Sequence, residues 1–530
     1  MVYKAGVLDP KDVLAFALSG KEVYSKVLGE VGEENAFDVA QHRALAGALF
    51  CAKKGWWDAV LLAVRRGYED RDDITFKRAC RAGREDVVAA MLPRAPATWL
   101  RDALTLACIH GATSVVPILL GDGRVDPGAQ DNLAIRKAAE NGYVDIVRTL
   151  LEDDRVDPAA EGHHAICWAA ASGHVDVVRV LLEDDRVNPT AENDYAIRSA
   201  VQNGHTAVVC ALLEDHRIDP TVHENYAIRA AAENGHLDVV HVLLEDHRVD
   251  PAAQEDCALR WAAEKGHIDV VRVLLEDGRV NPAARNNHAI RWAVEYGHID
   301  AVQAFLEDDR VNPAVQDNQA ICTAAAKGYA DVVRVLLADH RVDPGAQDDQ
   351  AIRSAAGNGL TDVVRILLED DRVNPAAKNN GAICMAAENG HVAVVCVLLE
   401  DGRVNPAAKN DYPVRLAAKK GHKNVVAVLL GDDRVNPAAK NNQAICGAAA
   451  AGYTKTVEIL LSDARVNPGA RNDLALLWAA RNGRINVVRV LLGDDRVDPG
   501  AQNNRAIAAA QQRGRTEIVD LLTDAISSRT

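Results

Sequence analysis

One tetrapeptide recurs with a fixed step. Arg-Val-Asp/Asn-Pro, with Ile218 once in place of Val, begins at Arg124, returns at Arg155, Arg186 and Arg217, and keeps that 31-residue step to Arg496. It holds thirteen of the 18 prolines, so proline here marks a single repeated connector. A glycine keeps the same step without a gap from Gly111 to Gly514, and Gly83 and Gly55 extend the series upstream at a slightly shorter one. A fixed period of this size belongs to stacked repeats, each too small to bury a core alone. The length of 530 residues would otherwise suggest three or four domains at ~150 residues each. The period replaces that expectation with one quasi-linear array. Aromatic residues make up only 4% of the chain, so Ala, Val and Leu must fill thin, closely spaced elements.

The unit from Asn193 to Asp215 shows how each repeat should fold. A short first helix runs through Ala196, Ile197, Ala200 and Val201, and Asn203-Gly204 ends it in a left-handed turn. The second helix carries Val208-Val209 and Leu212-Leu213, spaced to turn one apolar stripe inward. Two capping roles are expected. The Asp194 slot holds Asp or Asn in twelve of thirteen units, His163 being the exception, and suits an N-cap. The slot after Asp215 holds Gly, Asp or His in twelve of thirteen, Ala464 excepted, and suits a C′ residue with positive φ. Pro220 and its equivalents then stop the helix.

Ala231-Ala-Glu-Asn-Gly-His-Leu-Asp-Val-Val240, followed by Val242-Leu243-Leu244-Glu245, resembles the helix-turn-helix core of the ankyrin-repeat family. The resemblance covers about residues 40–526 and is strongest over 103–522. It implies an all-α, ankyrin-type helix-turn-helix solenoid with short Pro-containing connector loops in a curved superhelical array. Three departures stand out. Forms such as Tyr195-Ala196-Ile197-Arg198 replace the family's Thr-Pro-Leu-His, and the unit is shorter than the family's usual one of about 33. The finger's Asp-x-x-Gly turn is missing, so a shortened, Pro-stiffened finger is expected rather than a β-hairpin. The expected organisation is an N-terminal helical segment (1–34), divergent 28-residue repeats (35–100), regular repeats (101–504) and a C-terminal capping repeat (505–530). Thr523 there falls where other units have the second Leu, as a solvent-facing cap requires.

Residues 1–34 differ. Leu8-Asp9-Pro10-Lys11-Asp12-Val13-Leu14, with Leu18, Lys21, Val23-Tyr24 and Leu28, resembles the second half of an F-box. That resemblance implies docking of a cullin-ligase adaptor through Leu8, Pro10, Val13, Leu14, Leu18 and Tyr24. The plainer reading of the residues, and the favoured one, is an amphipathic helix pair capping the array's N-terminal end. Both readings stand at this point.

Signatures of catalysis are absent: no Gly-x-Ser-x-Gly elbow, Walker-type loop or His-Glu-x-x-His occurs. Seven histidines, His174 to His422, share the slot after the turn Gly, which makes them structural. Acidic clusters such as Asp153-Asp154-Arg155-Val156-Asp157 lack a calcium-loop register. Cys167, Cys322, Cys384 and Cys446 replace the Arg of Ala-Ile-Arg at least two repeats apart, roughly 20 Å, too far for a disulfide. No cofactor, metal or enzymatic activity is expected. A formal charge of −16 argues against nucleic-acid and membrane partners. Lys4, Asp9, Lys11 and Asp12 interrupt any signal peptide, and no apolar run could span a bilayer. The expectation is a monomeric intracellular protein, cytoplasmic or nuclear.

What varies between copies is where function should lie. The slot three before the Arg/Cys position holds Tyr195, Tyr226 and His288, and the slot after it holds Trp261 and Trp292. The pair before the turn Gly adds Glu264 and Tyr296. These seven form the candidate partner-binding set, on or near the face that lines the groove in ankyrin arrays. Aromatic residues are frequent interface hot spots. The rings could instead fill gaps between first helices, or reflect drift among copies. The expected function is a non-enzymatic protein-interaction scaffold whose partner the residues do not identify. The alternative is an F-box/ankyrin substrate receptor of a cullin-type ubiquitin ligase.

Overall fold

The computed structural model describes residues 51–53, 55, 57–65 and 73–529. They divide into two compact units, one up to Gln254 and one from Glu255 onward. Among the described residues there are 31 α-helices, one 3-10 helix over Leu92–Arg94 and no strand. The chain therefore builds the expected helix-turn-helix solenoid, with plain connectors in place of β-hairpin fingers.

Ala191–Gln202 and Thr206–Leu213 form one pair in the first unit; Ala377–Asn389 and Val392–Glu400 form one in the second. Within each unit, first helices pack on neighbouring first helices and second helices on second helices, giving two layers. Val208, Val209 and Leu212 are fully buried against Ala200 and Val201 of their own repeat's first helix, also fully buried. Each Val or Leu so placed contributes about 1.5–3 kcal/mol. The small alanines let the layers approach. Gly204 ends its helix at φ +74°, as expected of the Asn-Gly turn.

Both expected caps are corrected. Asp194 makes no capping hydrogen bond; it is the third of three consecutive left-handed residues, Glu192, Asn193 and Asp194, at φ 53°, 60° and 58°. The same three-residue left-handed turn opens the first helix in all thirteen regular units, from Gln130 to Asn504. Such a run costs roughly 1–2 kcal/mol per residue for L-amino acids, which is why Asn and Asp crowd it. Hydrogen bonds offset the strain. Arg198 donates from Nε to the Asn193 carbonyl at 2.7 Å and from Nη2 to that of Glu192 at 3.3 Å. The third residue's side chain reaches the next repeat instead of its own helix. Asn132 Oδ1 accepts the backbone N–H of Asp157 at 2.7 Å, and Asn380 Oδ1 that of Asn405 at 2.6 Å. Even His163, the exception in sequence, accepts from the Asn188 N–H through Nδ1 at 3.0 Å.

The slot after Asp215 is not left-handed: neither His216 nor any of its equivalents, Gly123 and Gly402 included, has positive φ. It is an exposed position in a turn that the preceding Asp closes. Asp153 Oδ1 accepts the N–H of Arg155 at 3.0 Å, while the Asp153 carbonyl accepts the Val156 N–H at 2.9 Å. Small and polar residues suit this slot because the turn points it at solvent.

That Asp also holds the connector arginine. Arg341 pairs with Asp339 at 2.6 Å and donates to the carbonyls of Val311 (2.9 Å) and Leu306 (2.7 Å) in the preceding repeat. Arg186, Arg310, Arg372, Arg403, Arg434 and Arg465 repeat the arrangement. Beyond the last connector, Arg529 of helix Thr516–Arg529 donates to the carbonyls of Val497 and, at 2.7 Å, Leu492. Thr523 is exposed.

Candidate interaction surface

The left-handed turn and the helix behind it decide which side chains the first-helix layer offers to solvent. Ala196, Ile197 and Ala200 are buried, leaving the slots of Tyr195, Arg198 and Gln202, and the turn itself, outward or at the seam between repeats. The seven candidates divide between the units.

Tyr195 and Tyr226 belong to the first unit. The Arg198 guanidinium lies 6.0 Å from the centroid of each ring, bridging two neighbouring repeats by cation–π contact. Both rings are half-buried, so this pair serves packing as well as surface.

Trp261, Glu264, His288, Trp292 and Tyr296 belong to the second unit. His288 and Trp292, one helical turn apart, bring their rings to 4.3 Å at a 51° tilt. Burial, then the charges of Arg291, Arg260 and Arg285, push the His288 imidazole down to about 4, so it is neutral near pH 7. Its Nδ1 is buried without a hydrogen-bond partner among the described residues. Tyr296 is 52% exposed and stacks on His298 at 6.3 Å. Trp261 and Glu264 are half-buried, and the Glu264 carboxylate lies 3.1 Å from Lys265 Nζ.

Histidines of the shared slot have the structural role expected of them. His391 Nε2 donates to the Gly357 carbonyl of the preceding repeat at 2.9 Å, as His422 does to Glu388 at 2.8 Å. None of the ten cysteines is joined in a disulfide, and burial pushes Cys167, Cys322, Cys384 and Cys446 up to about 11. Among the described residues no group of His, Cys, Asp or Glu could hold a metal ion. No described helix is long and apolar enough to cross a membrane. Leu8, Pro10, Val13, Leu14, Leu18 and Tyr24 lie outside the described residues.

Sequence reasoning missed the first slot of the left-handed turn, which holds Lys409, Lys440 and Arg471 in successive repeats. The signal was present as a charge of the same sign recurring at the repeat's own step. Reading the neighbouring Asp/Asn as an N-cap hid that this stretch is a surface turn.

A family model described as ankyrin repeats matches residues 135–224, 197–286, 228–317, 321–410, 351–444, 383–472 and 445–528. These matches together cover well over half of the chain. Among solved structures, an ankyrin repeat family protein from Legionella pneumophila is 21% identical. That match covers 50% of this chain and 84% of the other, with a TM-score of 0.23. No curated protein matches.

Proposed function

From the premise that the chain belongs to the ankyrin-repeat family, whose arrays are protein-interaction scaffolds, we propose that it binds a partner protein through its first-helix layer. The anchor is the aromatic group of the second unit. The observation that carries this reading is Tyr296, a large ring left 52% exposed on a rigid helix whose preceding turn presents the His288–Trp292 pair. A rigid aromatic surface loses little entropy on binding, and such rings commonly contribute about 2 kcal/mol or more. The reading is non-enzymatic.

Affinity capture with intact protein beside Tyr296→Ala and Trp261→Ala/Trp292→Ala variants tests it. Specific partners should be lost from both variants while their thermal melts show folded protein. Equal recovery of the same partners would remove the aromatic group from the binding site. The F-box-like run from Leu8 to Leu28 supports a second reading as a ligase substrate receptor. Capture of the cullin-ligase adaptor, abolished by deleting residues 1–34, would favour it.

A further inference from the structure

The three successive first helices of the second unit, Ala408–Lys420, Ala439–Ala451 and Ala470–Arg481, carry seven basic residues against two acidic ones. Both acids, Asp411 and Asp473, are buried and spend their carboxylates on backbone N–H groups of the next connector. These helices therefore expose basic side chains and no acidic one, with Lys420 paired to Glu388 of the preceding first helix at 3.4 Å, in a protein whose formal charge is −16. This is not a property of the repeat framework. The four regular first helices of the first unit that end at Asn234 carry seven acidic residues against four basic ones.

Lys409, Lys440 and Arg471 hold the same slot in three neighbouring repeats, all exposed, with no acidic partner among the described residues. Lys378, one repeat earlier, is already paired with Asp348 at 2.6 Å. Beside each of the three stands an exposed asparagine, Asn410, Asn441 and Asn472. Their side-chain amides make no hydrogen bond to any described residue. Elsewhere this second slot holds Asn193, Asn286, Asn379 and Asn503 as well as Asp131, Gly162, Glu224, Glu255, Asp317 and Asp348, so the left-handed turn favours asparagine without requiring it.

We propose that this face holds an extended acidic segment of a partner protein. Each of Lys409, Lys440 and Arg471 takes one carboxylate, and Asn410, Asn441 and Asn472 pair with the segment's backbone. The spacing supports a peptide. Packed helices lie about 8–10 Å apart, and three residues of polyproline II chain rise about 9.3 Å, returning to the same side each turn. An acid at every third residue would meet one cation per repeat. The asparagine row adds what a peptide backbone needs, a donor and an acceptor on each side chain. A DNA backbone offers the asparagine row only acceptor oxygens, so the carbonyl of each side-chain amide would go unpaired.

The test is fluorescence anisotropy with the full chain and a labelled peptide carrying Glu at every third residue. A Gln-substituted peptide and an oligodeoxythymidylate of equal charge serve as comparisons. The Glu peptide should bind, weaken with salt, and outcompete both. Lys409→Glu/Lys440→Glu/Arg471→Glu should reduce its affinity on the order of tenfold or more. Glu161 and Glu192 occupy the same slot, so the turn tolerates the reversal. Asn410→Gly/Asn441→Gly/Asn472→Gly should weaken binding without changing its salt dependence; Gly162 shows that glycine fits there. No binding of the Glu peptide, equal binding of the Gln peptide, tighter binding of the oligonucleotide, or an unaffected charge-reversal variant would each overturn the proposal.

Discussion

The side-chain oxygen of Asn442 accepts the backbone N–H of Asn467 at 2.6 Å. It links the left-handed turn of one repeat to the connector of the next. The donor precedes a proline, and the acceptor sits where an L-residue would normally avoid going. The strained turn of one repeat is thus tied to the proline connector of the next, across the repeat boundary. A structure of this kind gains stability mainly from interfaces between neighbours.

Where that acceptor is Asp in place of Asn, a charge is buried for the same hydrogen bond. Burial raises the carboxyl groups of Asp349, Asp411 and Asp473 above their ordinary value of 3.8. The folded state then binds these protons more tightly than the unfolded chain, so stability falls as pH rises through the raised values. The triple variant Asp349→Asn/Asp411→Asn/Asp473→Asn should melt higher at pH 7, by about 1–2 °C for each kcal/mol recovered in a chain of this length. Its advantage should shrink as pH approaches 3.8, where the acids become protonated in both states. Paired melts from mildly acidic to neutral pH would check this; an unchanged or lower melting point at pH 7 would contradict it.

The connector carboxylates titrate in the opposite sense. A side-chain hydrogen bond from Arg341 holds Asp339 below its ordinary value, and the other Asp-x-Arg connectors repeat the effect. A depressed carboxyl stabilises the fold above its unfolded value of 3.8 and loses that contribution as pH falls through the folded value. With one such pair in each regular repeat, acid unfolding should be steep and begin below about pH 4. Circular dichroism against pH should show this, with proton uptake on unfolding; a broad loss of helix starting in mildly acidic solution would not fit.

Arg341→Ala removes two donors to backbone carbonyls and leaves the Asp339 carboxylate, only 10% exposed, without its cation. Hydrogen bonds to charged groups contribute roughly 1.5–3 kcal/mol, so the variant should lose about that much in urea unfolding. Arg341→Lys should recover only part of it, since an ammonium cannot reproduce the planar fork. Full recovery by Lys would show that charge alone matters.

Gly359 is constrained twice. Its φ is +75°, and an added Cβ would meet His391 Nδ1 of the next repeat at 2.5 Å. Gly359→Ala should therefore cost more than the roughly 1–2 kcal/mol of a left-handed alanine. In the double variant Gly359→Ala/His391→Ala the clash disappears while the backbone strain remains. The combined loss should be smaller than the sum of the two single losses, and additivity within about 0.3 kcal/mol would remove the contact from the explanation.

Much of this was open to inspection in the sequence. The period, the helix pair, the glycine turn and the apolar stripe depend on local spacing, and each forms where the pattern places it. The caps were misread because Asp and Asn suit three local roles equally well: helix N-cap, Asx turn and left-handed backbone. Asp194 and its equivalents take the third, and side chains such as those of Asn132 and Asn380 find their partner in the next repeat, beyond the reach of local spacing. The aromatic candidates were recognisable as variable residues. Yet only the packing shows that Arg198 bridges Tyr195 and Tyr226, whereas Tyr296 keeps half its surface in solvent.

The chain's own order determined that it would stack similar helix pairs and where each would turn, because those choices rest on torsions and spacing within a few residues. Tertiary structure alone decided which polar side chains are consumed between repeats and which remain free for a partner. Asp411 and Lys409 are near neighbours in the chain, and composition counts them as a cancelling pair. Stacking buries the acid against the Asn436 N–H and leaves the cation exposed, so the same two residues produce a basic surface.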